Sequence, residues 1–138
     1  SMLKNRPPES DARPGPMQRI AHTSDDCGET WSEPFMTDIS GVRCHGTLVS
    51  ASDCLLFSIP SGSLGPERSF ASARERGTIY VSRDDGRTWR HRVIESGTFS
   101  YSTIGVLDRS RYITFFARGS MGQDGVGCRV FSDEWLNA

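Results

Sequence analysis

Long apolar runs are missing from this chain. No stretch approaches the roughly 20 apolar residues of a membrane-crossing helix, so no such span is expected. The start, Ser1-Met2-Leu3-Lys4, lacks the apolar centre of a signal peptide, and none is expected there. Charge of one sign is also missing. The 16 Lys+Arg and 17 Asp+Glu leave a formal net charge of −1, which argues against nucleic-acid binding carried by bulk electrostatics. The four cysteines (Cys27, Cys44, Cys54, Cys128) form no C-x-x-C pair, so no metal site is expected. Cys44 and Cys54 are the closest pair, but spacing alone does not decide a disulfide. Lysine is nearly absent, with Lys4 the only one. Codon bias is the plain reading and the one preferred as a general cause, yet arginine also suits anion clamps, because its planar fork meets a carboxylate bidentately. With 138 residues the chain has the size of one small domain.

Helical periodicity is poor throughout, and no long helix is expected. Short β-type runs occur instead at Met17–Thr23, Gly46–Ser50, Cys54–Ser58, Gly77–Ser82, Arg90–Glu95, Ser102–Leu107, Tyr112–Ala117 and Gly127–Phe131. Each has a normal strand length. Pro7–Pro16 and Pro60–Arg68 are rich in turn residues and read as loops that would not sit inside a central strand.

One segment repeats. Ser24-Asp25-Asp26-Cys27-Gly28-Glu29-Thr30-Trp31 and Ser82-Arg83-Asp84-Asp85-Gly86-Arg87-Thr88-Trp89 both read S-x-D-x-G-x-T-W. Each lies between β-type runs, which predicts a hairpin with fixed turn chemistry. Asp26 and Asp84 would accept hydrogen bonds from the turn backbone, and Gly28 and Gly86 would take a positive φ. Ser24 and Ser82, or the threonines, would tie the turn closed. Trp31 and Trp89 would bury their rings against a neighbouring sheet. A calcium loop is the competing reading, but neither box has the alternate ligands and the twelfth-position Glu of an EF-hand. Catalytic use of the aspartates is another, and the structural role is preferred. His22, His45 and His91 have no triad-like partners in sequence and read as surface or packing residues.

Two complete boxes are the Asp-box (BNR) signature, and the chain resembles the C-terminal part of a sialidase. Met2-Leu3-Lys4-Asn5-Arg6 resembles the strand end that carries the second arginine of the family's triad. Arg74-Glu75-Arg76-Gly77-Thr78-Ile79-Tyr80-Val81-Ser82 resembles the segment of the third. Phe99-Ser100-Tyr101-Ser102-Thr103 resembles the segment of the catalytic tyrosine, and Phe131 to Leu136 the closing strand with its Trp-Leu ending. The resemblance implies an all-β fold, part of a six-bladed propeller, filling residues 1–138. It implies release of terminal sialic acid with retention, without a cofactor, through Tyr101 as nucleophile and Arg6 and Arg74 as carboxylate clamps. The chemistry is coherent: sialic acid bears a carboxylate on its anomeric carbon, which would repel an Asp or Glu nucleophile, and a phenol avoids this.

Each residue also has a plainer reading. Tyr101 could pack beside Phe99, Arg74 could be a solvated partner of Glu75, and Arg6 could be exposed near the chain start. Arg76 competes with Arg74, since a residue two positions on would point to the same strand face. The acid/base aspartate, the activating glutamate and the first arginine of the family have no counterpart here. Ala117 stands where the family usually has a glutamate, followed by Arg118.

Blades of four strands, with a box joining the third and fourth, divide the runs into the end of one blade, one full blade and three strands of another. That is about two and a half blades, too short for the fold. The upstream half of the propeller, or another copy of the chain, is therefore the expected partner, with a sialoglycoconjugate or sialic acid as ligand. A non-catalytic Asp-box propeller, binding carbohydrate or protein, is the alternative.

Overall fold

The computed structural model describes residues 17–62, 74–119 and 122–138. The described residues are all-β apart from one short helix. They form β1 (Met17–Ala21), β2 (Phe35–Gly41), β3 (Thr47–Ala51), β4 (Cys54–Pro60), β5 (Glu75–Ser82), β6 (Arg90–Thr98), β7 (Ser100–Val106), β8 (Arg111–Ala117), β9 (Val126–Ser132) and α1 (Asp133–Asn137). Every β-type run of the sequence becomes a strand, with ends shifted by up to three residues. The strands group as the runs predicted, into antiparallel sheets β1-β2, β3-β4-β5-β6 and β7-β8-β9.

The burial pattern follows from how the sheets stack. The four-stranded sheet is covered on both faces. Leu56, Ile79 and Val81 pack against Ile104, Tyr112 and Phe131 of the three-stranded sheet. Phe57, Ile59 and Tyr80 pack the other way, against Ile39 of β2. A strand buried on both faces needs no polar alternation, hence the continuous run Cys54-Leu55-Leu56-Phe57. β7 and β8 instead alternate buried and exposed residues, because only one face of their sheet is covered.

Two expectations need correction. Pro60 is not in a loop: it is the buried last residue of β4, a strand with neighbours on both sides. Its carbonyl accepts from Val42 N at 3.0 Å, away from β5. The N and O of one antiparallel residue point the same way, so the missing N–H removes no bond to β5. The strand expected over Phe131 to Leu136 stops at Ser132. The Ser132 hydroxyl accepts from Trp135 N and caps α1, which buries Leu136.

Polar groups near the junction of the two larger sheets are paired. The wholly buried Tyr112 donates to Asp133 Oδ1 at 3.1 Å, and Arg83 bridges Asp133 and Asp53. Burial raises the Tyr112 phenol and the Cys54 thiol above their ordinary pKa values. All four cysteines are free.

Candidate functional site

Two backbone irregularities flank the site. The β5–β6 register shifts between Glu75 and Gly77, where the extra residue lies on β6, and β7 has a bulge between Ser100 and Ser102 whose extra residue is Tyr101. Arg76 and Tyr101 take φ of 58° and 39°. A bulky residue in the left-handed region is an outlier, costing about 1–3 kcal/mol, and such strain clusters where a side chain must be re-aimed. Beside these irregularities Arg74 and Tyr101 come together. The Arg74 guanidinium carbon lies 4.8 Å from the centre of the Tyr101 ring. Arg76 is exposed, and its left-handed φ interrupts the two-residue period that would have aligned it with Arg74.

Phe99 anchors the pair. It is fully buried, its N–H donates to Arg74 O at 2.8 Å, and its ring stacks on Phe116 at 4.6 Å. Tyr101, two residues on, is 46% exposed and free to meet a ligand. Tyr101 is thus a half-exposed residue of β7, whereas Phe99 is fully buried.

Arg6 lies outside the described residues. Ala117 is the register partner of Ser100, so a methyl group stands one residue from Tyr101 where the family pattern expects a carboxylate. Arg118, next to it, is exposed. Gly77, the first residue of a strand run, has no role of its own in the sequence pattern. Nor has Ser100, and Ser102 enters only as part of the Tyr-Ser segment.

The two boxes fold alike. Asp26 accepts Thr30 N at 2.9 Å and Thr30 Oγ1 at 2.6 Å, and Asp84 accepts Thr88 N and Oγ1 at the same distances. Ser24 and Ser82 donate to these carboxylates and accept from Gly28 N and Gly86 N at 2.8 Å. Gly28 and Gly86 take φ of 94° and 84°. The threonine hydroxyl, then the threonine N–H, holds each carboxyl down at a pKa of about 2. These carboxylates are spent on their own turns. Trp31 departs from expectation: it is 52% exposed, its Nε1 bonded to Gly28 O at 3.0 Å, so the ring folds over its own turn. Trp89 does pack against the Phe57, Ile59 and Tyr80 core.

This difference gives a test. Asp84→Ala should lower the melting temperature more than Asp26→Ala, because only the second turn fixes a core tryptophan. The sign of the pH effect follows from the depressed folded pKa. The contribution is complete at neutral pH and is lost as pH falls from about 4, the unfolded value, through about 2. Melts of wild type and Asp84→Ala should converge over that window; a constant gap down to pH 2 would contradict this role.

Elsewhere, a cavity of about 460 Å³ lies between β6 and β9, lined by Val93, Ile94, Arg129, Val130 and Trp135 among others. Neither Arg74 nor Tyr101 lines it, and Arg129 is already paired with Glu95. The Arg74–Tyr101 contact marks the better candidate site, because it joins a cation to an exposed phenol. His22 Nδ1 lies 2.9 Å from Ser32 O, His91 packs on Tyr80, and His45 is exposed. No family model matches the chain, and no curated protein matches it.

Proposed function

We propose that the chain is the C-terminal part of a sialidase-like six-bladed β-propeller, contributing a nucleophile and a carboxylate clamp to a retaining exo-sialidase. The observation that carries this reading is the placement of Arg74 on the ring of the half-exposed Tyr101, itself the extra residue of the β7 bulge. Arg74 binds the sugar carboxylate, and a charge-assisted pair of that kind is both strong and directional. The Tyr101 oxygen attacks the anomeric carbon as the aglycone leaves, and water then releases the sugar from tyrosine. Arg6 is the second clamp. The acid/base aspartate, the activating glutamate and the first arginine come from the upstream half or another chain.

The sheet stack supports the propeller. The outer face of the three-stranded sheet exposes Phe115, Val126 at 75% and Val130 at 60%. A further sheet would cover that face, as each described sheet covers the next.

The test is a titration of the chain with N-acetylneuraminic acid, followed by amide chemical shifts. Arg74→Ala should weaken binding by about 2 kcal/mol, roughly thirtyfold. The chain alone should not hydrolyse a fluorogenic sialoside. Equal affinity in wild type and Arg74→Ala would remove the clamp, and robust turnover would refute the incomplete site. Ala117 favours a second reading, in which the assembled protein binds the anionic sugar without cleaving it.

A further inference from the structure

Tyr101 is the exposed residue between two buried serines, and the structure gives each serine a partner in a different segment. The Ser100 hydroxyl donates to Gly119 O at 3.1 Å. Gly119 N–H in turn donates to Thr98 Oγ1 at 2.9 Å, so the glycine is held at both of its polar groups. On the other side, the Ser102 hydroxyl lies 2.7 Å from Ser58 Oγ of β4, and Ser102 O accepts from Thr47 Oγ1 at 2.6 Å. Ser100 and Ser102 are 0% and 2% exposed.

We propose that Ser100 and Ser102 are positioning residues for Tyr101, pinning the backbone on both sides so that the bulge places the phenol against Arg74. A left-handed tyrosine persists only when its surroundings over-determine it. Two hydroxyls bonded in opposite directions, one to the β8–β9 turn and one to the four-stranded sheet, supply that constraint. A buried hydroxyl left without its partner would drive local rearrangement. With either anchor gone, the backbone relaxes toward ordinary extended geometry. A one-residue change of register turns a side chain to the opposite face, so the phenol leaves Arg74.

The inference rests on reading Arg74 and Tyr101 as the site, but its test reads ring placement without ligand. The probe is 3-fluorotyrosine incorporated at position 101 of the chain, observed by fluorine NMR. Arg74→Ala sets the shift expected when the cation is removed. Ser100→Ala, which acts on the turn side, and Ser58→Ala, which acts on the sheet side, should each move the resonance away from its parent position or split it. If one variant does not fold, the other decides. Ser132→Ala removes a helix cap elsewhere and should lower stability while leaving the resonance in place. An unmoved resonance in a folded Ser100→Ala or Ser58→Ala chain would overturn the proposal, as would a shift in Ser132→Ala of the same size. An unmoved resonance in Arg74→Ala would overturn it too, by removing the contact on which it depends. A failure of sialic acid to bind would count against the functional reading alone.

Discussion

Gly77→Ala is expected to cost about 3 kcal/mol or more, at the upper end of overpacking effects. A Cβ at Gly77 would lie 2.0 Å from Phe99 Cδ2, with two more atoms of the same ring at 2.3 and 2.5 Å. The ring has no room to yield. Phe99 is fully buried, stacked on Phe116, and tied through its N–H to Arg74. Phe116 is itself pressed by Gly127, where an added Cβ would come within 2.5 Å. The strain would therefore pass to the Arg74–Tyr101 contact. For a chain of this size the melting temperature should fall by roughly 10 °C. Scanning calorimetry checks this, with Gly97→Ala as comparison. There the new Cβ meets only a Glu95 carboxylate oxygen at 3.4 Å, at the end of a flexible side chain, and the melt should hardly change. Equal melts for the two variants would show that the close approach at Gly77 is not a constraint.

Tyr101→Phe should abolish most sialidase activity in a protein that supplies the missing aspartate, glutamate and arginine. Removing a nucleophile removes the covalent route, and a loss of about a thousandfold or more in kcat is expected. Substrate affinity should change little, because Arg74 and the ring face remain. Arg74→Ala should show the opposite split, with the larger part of its effect in KM, since the carboxylate is bound in both the ground and transition states. A Tyr101→Phe enzyme with undiminished kcat would take Tyr101 out of the mechanism and leave the binding-module reading.

Much of the architecture was legible because it is local. Period-two patterning marked the half-covered strands β7 and β8, and continuous apolar runs marked the doubly covered β4. The boxes were legible in nearly every atom, since Ser, Asp, Gly and Thr meet within eight consecutive residues and need no distant partner. Trp31 was misread for the complementary reason. Whether a ring buries depends on what lies across from it, and the box alone does not say.

The pairing of Arg74 with Tyr101 divides in the same way. In the sequence Arg74 stands before a box and Tyr101 after it, the order the resemblance implies, and Ala117 stands where that resemblance expects a glutamate. The resemblance pointed to Arg74, with Arg76 as its competitor because strand periodicity gives both the same face. The fold sets Arg74 against the Tyr101 ring and leaves Arg76 exposed. A bulge is an extra residue on one strand relative to its partner, so it exists in the pairing of two segments and not in either one. The left-handed φ at Arg76 breaks the period, the bulge at Tyr101 sets the phenol outward, and Phe99, beside Gly77, bonds to Arg74 between them.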